Sequence, residues 1–445
     1  MAALEQLGNF VAGSKPPSDA LRETFELHVI DTIGAWLAAT ATPEGRALLA
    51  YRSAMRQGAH AGDALALDLS TRCALARLSE IDDIHLPSTT TPGSIVIPSA
   101  LTLATASPAA TTEDVTAAIL AGYEAMTRLG RAIDGPAALY RGIWSTYFTA
   151  PFGVAAVAAR LLGFDDKQAA NALALALTFA APGVGHHNAA TTSRWFAVGN
   201  AARNGLNAAL AAQQRFTSDL NLAESNFLSG IYGVTPNLVA LTEGLGERCV
   251  LTELSFKPWC AARQTMAATQ ALKEIIDSGV APATMDEIRV SVLPSHLKMI
   301  DHGVKSGDRA SHLTSVQFAM AVAALLPNAT PEVGRSPVAL SPALGDFMSK
   351  IKVEPDDGLV ADYPRVWPSR VRVTAGTTQH ERLVTHVPGD PARPFDRARV
   401  RAKFLAFVGP VLDADKAERI FQHCVSALAN GALASLAAEI EQATS

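Results

Sequence analysis

The chain has 445 residues, 49% of them hydrophobic and 18% charged, with a formal net charge of −5. That length exceeds one ordinary core, so two domains are expected, and the apolar content excludes a disordered or low-complexity protein. The acidic balance, with no Lys/Arg cluster of the kind that tracks phosphates, excludes a general attraction to nucleic acid. An acidic small substrate must then be held by a few local cations.

The N-terminal run MAALEQLGNFVAGSKPPSDALRETF reads as a helix followed by a capped second helix. Glu5 and the broken apolar pattern do not fit a secretory signal, and no apolar stretch reaches the roughly 18 residues of a membrane span. Up to about residue 250 the apolar positions recur at helical spacing, as in 25–39, 94–106, 113–133 and 166–180. Thr111 to Asp114 and Asp165-Asp166 read as N-terminal caps with first-turn acids. Residues 142–164 and 193–217 each run from a polar, aromatic-flanked approach into an Ala-rich helix. In the second, Gly199, Ala201, Ala202 and Gly205 form a small-residue face that admits another helix closely.

After Cys249 the pattern changes. Residues 287–293, 350–356, 369–375 and 381–387 alternate like half-buried strands, with helical stretches at 263–278 and 314–326 between them. Residues 387–395 read as a linker, and two last helices, around 401–407 and 413–429, return to the helical part. The expected fold is therefore mainly α. A large all-helical domain (1–250) carries a smaller α+β lid domain (251–395) inserted before C-terminal helices (396–445). Cys73, Cys249, Cys260 and Cys424 lie far apart with no CxxC spacing, which suggests reduced thiols in a cytoplasm and neither zinc nor disulfides.

Polar groups at the ends of packed helices are how a helical protein builds a small-molecule pocket. Arg194 stands ahead of one such helix, and Trp144, Thr146 and Tyr147 ahead of another. Trp144 and Tyr147 read either as core aromatics or, for Tyr147, as an acid. Lys257, in SFKPWC, is either a partly desolvated acid/base or a solvated loop residue. His85 follows Asp82 and Asp83 in a Pro- and Thr-rich loop; it is either an oriented general acid or part of a capping network. His186 and His187 have no third ligand at usable spacing, so they read as a pocket wall or proton shuttle and not as a metal pair. Cys260 lacks a second nearby thiol, and His312 and Ser315 are further candidates.

Six stretches in order, VIDTIGAWLAA, GYEAMTRLGRAI, PFGVAAVAARLLG, GNAARNGLNAALAAQQRFT, SFKPWC and GDPARPF, resemble the MmgE/PrpD family over essentially the whole chain. The resemblance implies a helical domain with an α+β lid, a homodimer, and a site between the domains. It implies bond breaking at a carbon next to a carboxylate, as in 2-methylcitrate dehydratase, cis-aconitate decarboxylase and iminodisuccinate epimerase. The last two branches need no metal or organic cofactor. Within EIDDIHLPSTTTPG the family's acids, threonine and histidine correspond to Asp82, Asp83, His85, Thr90 and Thr91, and the histidine before the proline falls on Thr90 or Thr91. Where the family has G-F-H-x-T, this chain has Trp144 for the histidine and keeps Thr146. In the K-R-x-H-x-G segment the cation is Arg194 and the histidine is Ala197; Lys257 matches the family lysine, and the tyrosine after Ser315 is Phe318.

Those departures remove the usual general acids and retain the carboxylate-binding cations. Arginine cannot titrate, so Arg194 is expected as a bidentate carboxylate clamp. The pattern suits a cofactor-independent epimerase of an amino- or imino-dicarboxylate. Lys257 and His85, or Tyr147 in place of one, would be its acid/base pair. Asp82, Asp83, Thr90, Thr91, Trp144, Thr146, His186 and Ser315 would join Arg194 around the substrate. The alternatives are a lyase of the same family, dehydratase or decarboxylase, and a non-catalytic carboxylate-binding paralogue. A small di- or tricarboxylate is the expected partner, with no nucleic acid and no membrane.

Overall fold

The structure is a computed structural model; it describes residues 1–58, 60–107, 109–181, 191–305, 308–327, 340–430 and 433–444. The described residues of 1–181, 192–256 and 396–444 form one compact unit, and those of 257–395, with Thr191, a second. The fold is mainly α, with twenty helices and two small sheets among the described residues. No helix among them is long and apolar enough to cross a membrane.

In the first unit the caps form where the sequence puts them. Thr111 and Asp114 make a reciprocal box at the head of Thr112–Ala132, and Asp165 accepts the Gln168 N–H at the head of Asp166–Thr178. The small-residue face of Ser193–Gln213 does what its composition allows. A Cβ on Gly199 would lie 2.4 Å from the Ser70 carbonyl oxygen, and one on Gly205 would lie 2.3 Å from that of Pro151. Backbone therefore meets backbone against both Ala61–Leu78 and Ser145–Leu161, which only glycine permits. The non-helical pairing in this unit is short: Ile84–His85 runs antiparallel to Leu254–Ser255.

The chain ends in three helices, Arg397–Leu412, Ala414–Asn430 and Leu433–Thr444, where the sequence reading expects two. Leu433, Leu436, Ala437 and Ile440 bury one face of the third. Glu441 ties that helix down through Arg52 at 2.7 Å and Arg72 at 2.9 Å.

The second unit holds a four-stranded sheet in the order Ile351–Pro355, Glu287–Val292, Ser369–Ala375, Thr378–Val384. The first two strands pair parallel and the others antiparallel. Alternate burial along Glu287–Val292 and Ser369–Ala375 matches their alternating sequence. The last strand begins three residues earlier than its apolar alternation suggests. Gly376, at φ 59°, turns the chain so that Ala375 already pairs with Thr378. The stretch 314–326 is the helix Val316–Leu325, preceded by a separate short helix Arg309–Thr314, because Ser315 takes an extended backbone and caps the second helix.

Candidate active site

The site grows from the end of Ala61–Leu78. After Ser79 the chain turns at Glu80, which adopts φ 58°, a left-handed conformation that costs a non-glycine residue about 1–2 kcal/mol. The turn aims the Glu80 carboxylate at two buried guanidinium groups, Arg77 at 3.0 Å and Arg194 at 3.1 Å. Arg77 also reaches Asp82 at 3.4 Å. Burial works against the Arg77 charge, but Asp82 and then Glu80 outweigh it and hold the guanidinium ionised.

Arg194 is the second residue of Ser193–Gln213, and its guanidinium stacks on Trp195 at 4.2 Å and Trp144 at 4.6 Å. Trp144 in turn meets Tyr147 edge-on, with ring centroids 5.7 Å apart. Burial pushes the Tyr147 phenol up; Arg194 and Arg77 pull it back only in part, so it stays protonated at neutral pH. Three groups in this knot lack a well-aligned hydrogen-bond partner among the described residues, Trp144 Nε1–H, Arg194 Nε–H and the Tyr147 hydroxyl, although the Arg194 guanidinium lies close enough to the phenol to favour its ionised form. Such groups are rare in folded proteins, and each calls for an explanation.

The loop 84–92 passes beside this knot. The Thr146 hydroxyl accepts the Thr91 N–H at 3.0 Å and lies 3.2 Å from the Thr91 hydroxyl. Thr90 bonds Ser88 at 2.6 Å and accepts the His85 N–H. Two glycines let the loop sink in. A Cβ on Gly135 would meet the Ser88 carbonyl oxygen at 2.0 Å, and one on Gly130 would meet the Ser88 Cβ at 2.7 Å.

Two further expected site residues, Asp83 and His85, have partners of their own. Asp83 accepts the Gly93 N–H at 2.9 Å and the Tyr123 hydroxyl at 2.7 Å, so its carboxylate anchors the start of Gly93–Thr105. His85 has both ring nitrogens occupied, by Ser88 at 2.8 Å and Glu253 at 3.0 Å. It borders a polar cavity of about 110 Å³ whose walls include Arg128, Arg131 and Arg248. Its partner Glu253 is held below the usual carboxylate range, first by the hydrogen bond from His85.

Lys257 and Ser315 belong to the second unit, and both are buried. The Ser315 hydroxyl donates to the His302 carbonyl at 2.7 Å and accepts the Phe318 N–H at 3.2 Å, so it is a helix cap. His312 is held by the Asp308 carbonyl at 2.9 Å. His186 and His187 lie outside the described residues. The four cysteines are free thiols, and burial pushes Cys73 and Cys424 up to about 12.

The structure thus gathers Trp144, Thr146, Tyr147, Thr91, Asp82 and Arg194, and adds Glu80, Arg77 and Trp195. Glu80 was visible as the first letter of EIDDIHLP, but nothing local marks it as the partner of a residue 114 positions away. No curated protein matches the chain. Residues 5–235 match the MmgE/PrpD N-terminal domain, and residues 259–427 match the MmgE/PrpD C-terminal domain. The chain belongs to the MmgE/PrpD family, whose dehydratases, lyases and epimerases support its being an enzyme of this kind.

Proposed function

We propose that this protein is a cofactor-independent epimerase, inverting the α-carbon of an amino- or imino-dicarboxylate by removing and returning a proton next to a carboxylate. The trio of unmet donors on Trp144, Tyr147 and Arg194 carries this reading. A buried donor without an acceptor costs about 1–3 kcal/mol, and a ligand oxygen removes that cost. Taking a proton from the α-carbon moves charge onto the carboxylate oxygens, and donors already fixed in place stabilise that charge best. Glu80 and Asp82 hold Arg77 and Arg194 in place, so the incoming carboxylate meets donors that are already fixed.

In this reading Tyr147, protonated at neutral pH, returns the proton. Lys257 removes it, a role that rests on its match to the family lysine. Among the described residues no histidine joins the donor trio: Trp144 and the Thr90/Thr91 pair stand where the family has histidines, and His85 is engaged with Ser88 and Glu253. That favours proton exchange over expulsion of hydroxide, which calls for a strong general acid. The reading includes a homodimer, and light scattering at the monomer mass of 46.6 kDa would contradict that part.

Proton NMR of a dicarboxylate panel in heavy water tests the chemistry. Loss of the α-proton signal without loss of substrate is the expected result. A vinylic product identifies a lyase instead, and ligand binding without either change identifies a non-catalytic binder.

A further inference from the structure

His28 takes no part in the chemistry above. It sits in the apolar helix Asp19–Ala39, 1% exposed, with its ring stacked on Phe256 at a centroid distance of 4.1 Å. Its Nδ1 lies 3.2 Å from Asp83 Oδ2, at ion-pair distance but out of line for a hydrogen bond. Its Nε2 has no partner among the described residues. A buried imidazole with one nitrogen on a carboxylate and the other unused is expensive as mere filling.

The charges around it are specific. Asp31 is three residues on in the same helix; burial raises its carboxyl, while Lys403 from Arg397–Leu412 binds it at 2.6 Å. Lys403 also donates to the Ile81 carbonyl at 2.7 Å. Tyr123, from Thr112–Ala132, donates to Asp83, and burial followed by Asp83 keeps that phenol protonated. Asp82, the residue before Asp83, is turned to Arg77. Asp31 therefore has Lys403 as its counter-charge. Among the described contacts, Asp83 has the neutral Tyr123 hydroxyl, the Gly93 N–H and the His28 ring at its side.

We propose that His28 is a positioning residue: with Asp83 it forms a buried imidazole–carboxylate pair that sets the 84–92 loop and, through it, the seat of Tyr147. The path is short. Asp83 grips the Gly93 N–H, which closes the loop that begins at residue 84. A Cβ on Gly93 would lie 2.7 Å from both Asp83 oxygens and from the Tyr123 hydroxyl, so the grip leaves no slack. Just before Gly93, Thr91 binds Thr146, the neighbour of Tyr147 in the first turn of Ser145–Leu161. The ring, wedged between Phe256 and the Asp83 carboxylate, holds that carboxylate on the Gly93 N–H, and its removal loosens the loop. The effect on turnover rests on the function proposed above; the effect on the loop does not.

Amide hydrogen exchange of the full chain at neutral pH tests it. In His28→Asn, which is too short to fill the ring's place, protection factors at Thr91 and Gly93 should fall several-fold while amides in Ser193–Gln213 stay unchanged. Equal protection at Thr91 and Gly93 in parent and His28→Asn overturns the proposal. If that variant fails to fold, the milder His28→Gln is measured in the same way, and unchanged protection there overturns the proposal too. In catalysis, His28→Asn should lower kcat and leave KM within twofold. Absence of turnover in the parent would sink the proposed function while the exchange result still judges the loop.

Discussion

Glu80 and Arg194 meet at 3.1 Å across 114 residues of chain, and both are buried. The contact joins the end of Ala61–Leu78 to the first turn of Ser193–Gln213, two helices that Gly199 already locks together through the Ser70 carbonyl. Close backbone packing fixes where the pair stands, and the left-handed turn at Glu80 aims the acid. Strain of this kind persists where the surroundings over-determine it, and such places are often functional.

Arg194→Lys keeps the charge but loses the planar fork and the stacking between Trp144 and Trp195. Dicarboxylate binding should weaken by about one to two orders of magnitude, the worth of a charged hydrogen bond. Calorimetric titration checks this, and an unchanged dissociation constant removes Arg194 from the binding group.

Gly205→Ala places a methyl 2.3 Å from the Pro151 carbonyl oxygen, so the two helices have to separate. The loss should be about 1–3 kcal/mol, typical of overpacking. Gly62→Ala is the control, because nothing lies within 4 Å of its Cβ, and helix propensity alone should stabilise it by up to about 1 kcal/mol. Urea midpoints that move the same way for both variants contradict the close-packing argument.

Much of this architecture was legible because its causes are local. The caps at Thr111 and Asp165, the glycine face of Ser193–Gln213 and the alternation of Glu287–Val292 follow from residues within a few positions of one another. The helix Leu433–Thr444 was missed although Leu433, Leu436 and Ile440 carry its spacing; the signal is weak in an Ala-rich run. The grouping at the candidate site was legible only in part. Arg194, Trp144 and Tyr147 could be found by their place ahead of helices. Glu80 could not, since its side chain matters only through a distant partner and a turn usually given to glycine. His28 occupies a core position of an apolar helix, and its link to Asp83 exists only in three dimensions.

Glu441 joins the last helix to Arg72 and Arg52. Burial alone would raise its carboxyl, but the two guanidinium groups outweigh burial and hold it below the usual glutamate range. A carboxyl depressed in the folded state stabilises above its unfolded value, and that contribution is lost as pH falls through the folded value. Glu441→Gln should therefore lower stability at neutral pH and narrow the gap to the parent as the solution is acidified below the ordinary glutamate range. Melting temperatures of the two proteins that differ by the same amount at neutral and strongly acidic pH would count against this pairing.

Tyr147→Phe separates the hydroxyl from the ring. The ring packs edge-on against Trp144, and phenylalanine keeps that contact. The hydroxyl gives its proton to no acceptor among the described residues, so its removal relieves an unmet donor, and stability should change by less than about 1 kcal/mol. The chemistry should suffer far more. Burial keeps the phenol protonated, which makes it a donor to the carbanion and not a base. Losing a positioned acid should slow α-proton exchange by about 10²–10⁴-fold. In the parent, activity should persist into mildly alkaline solution, because deprotonation of the raised phenol begins above its ordinary range. KM should rise little if the proton is delivered only as the transition state forms. A folded Tyr147→Phe protein that exchanges the α-proton at the parent rate removes Tyr147 from the mechanism and leaves Arg194 and Trp144 as a binding pair alone.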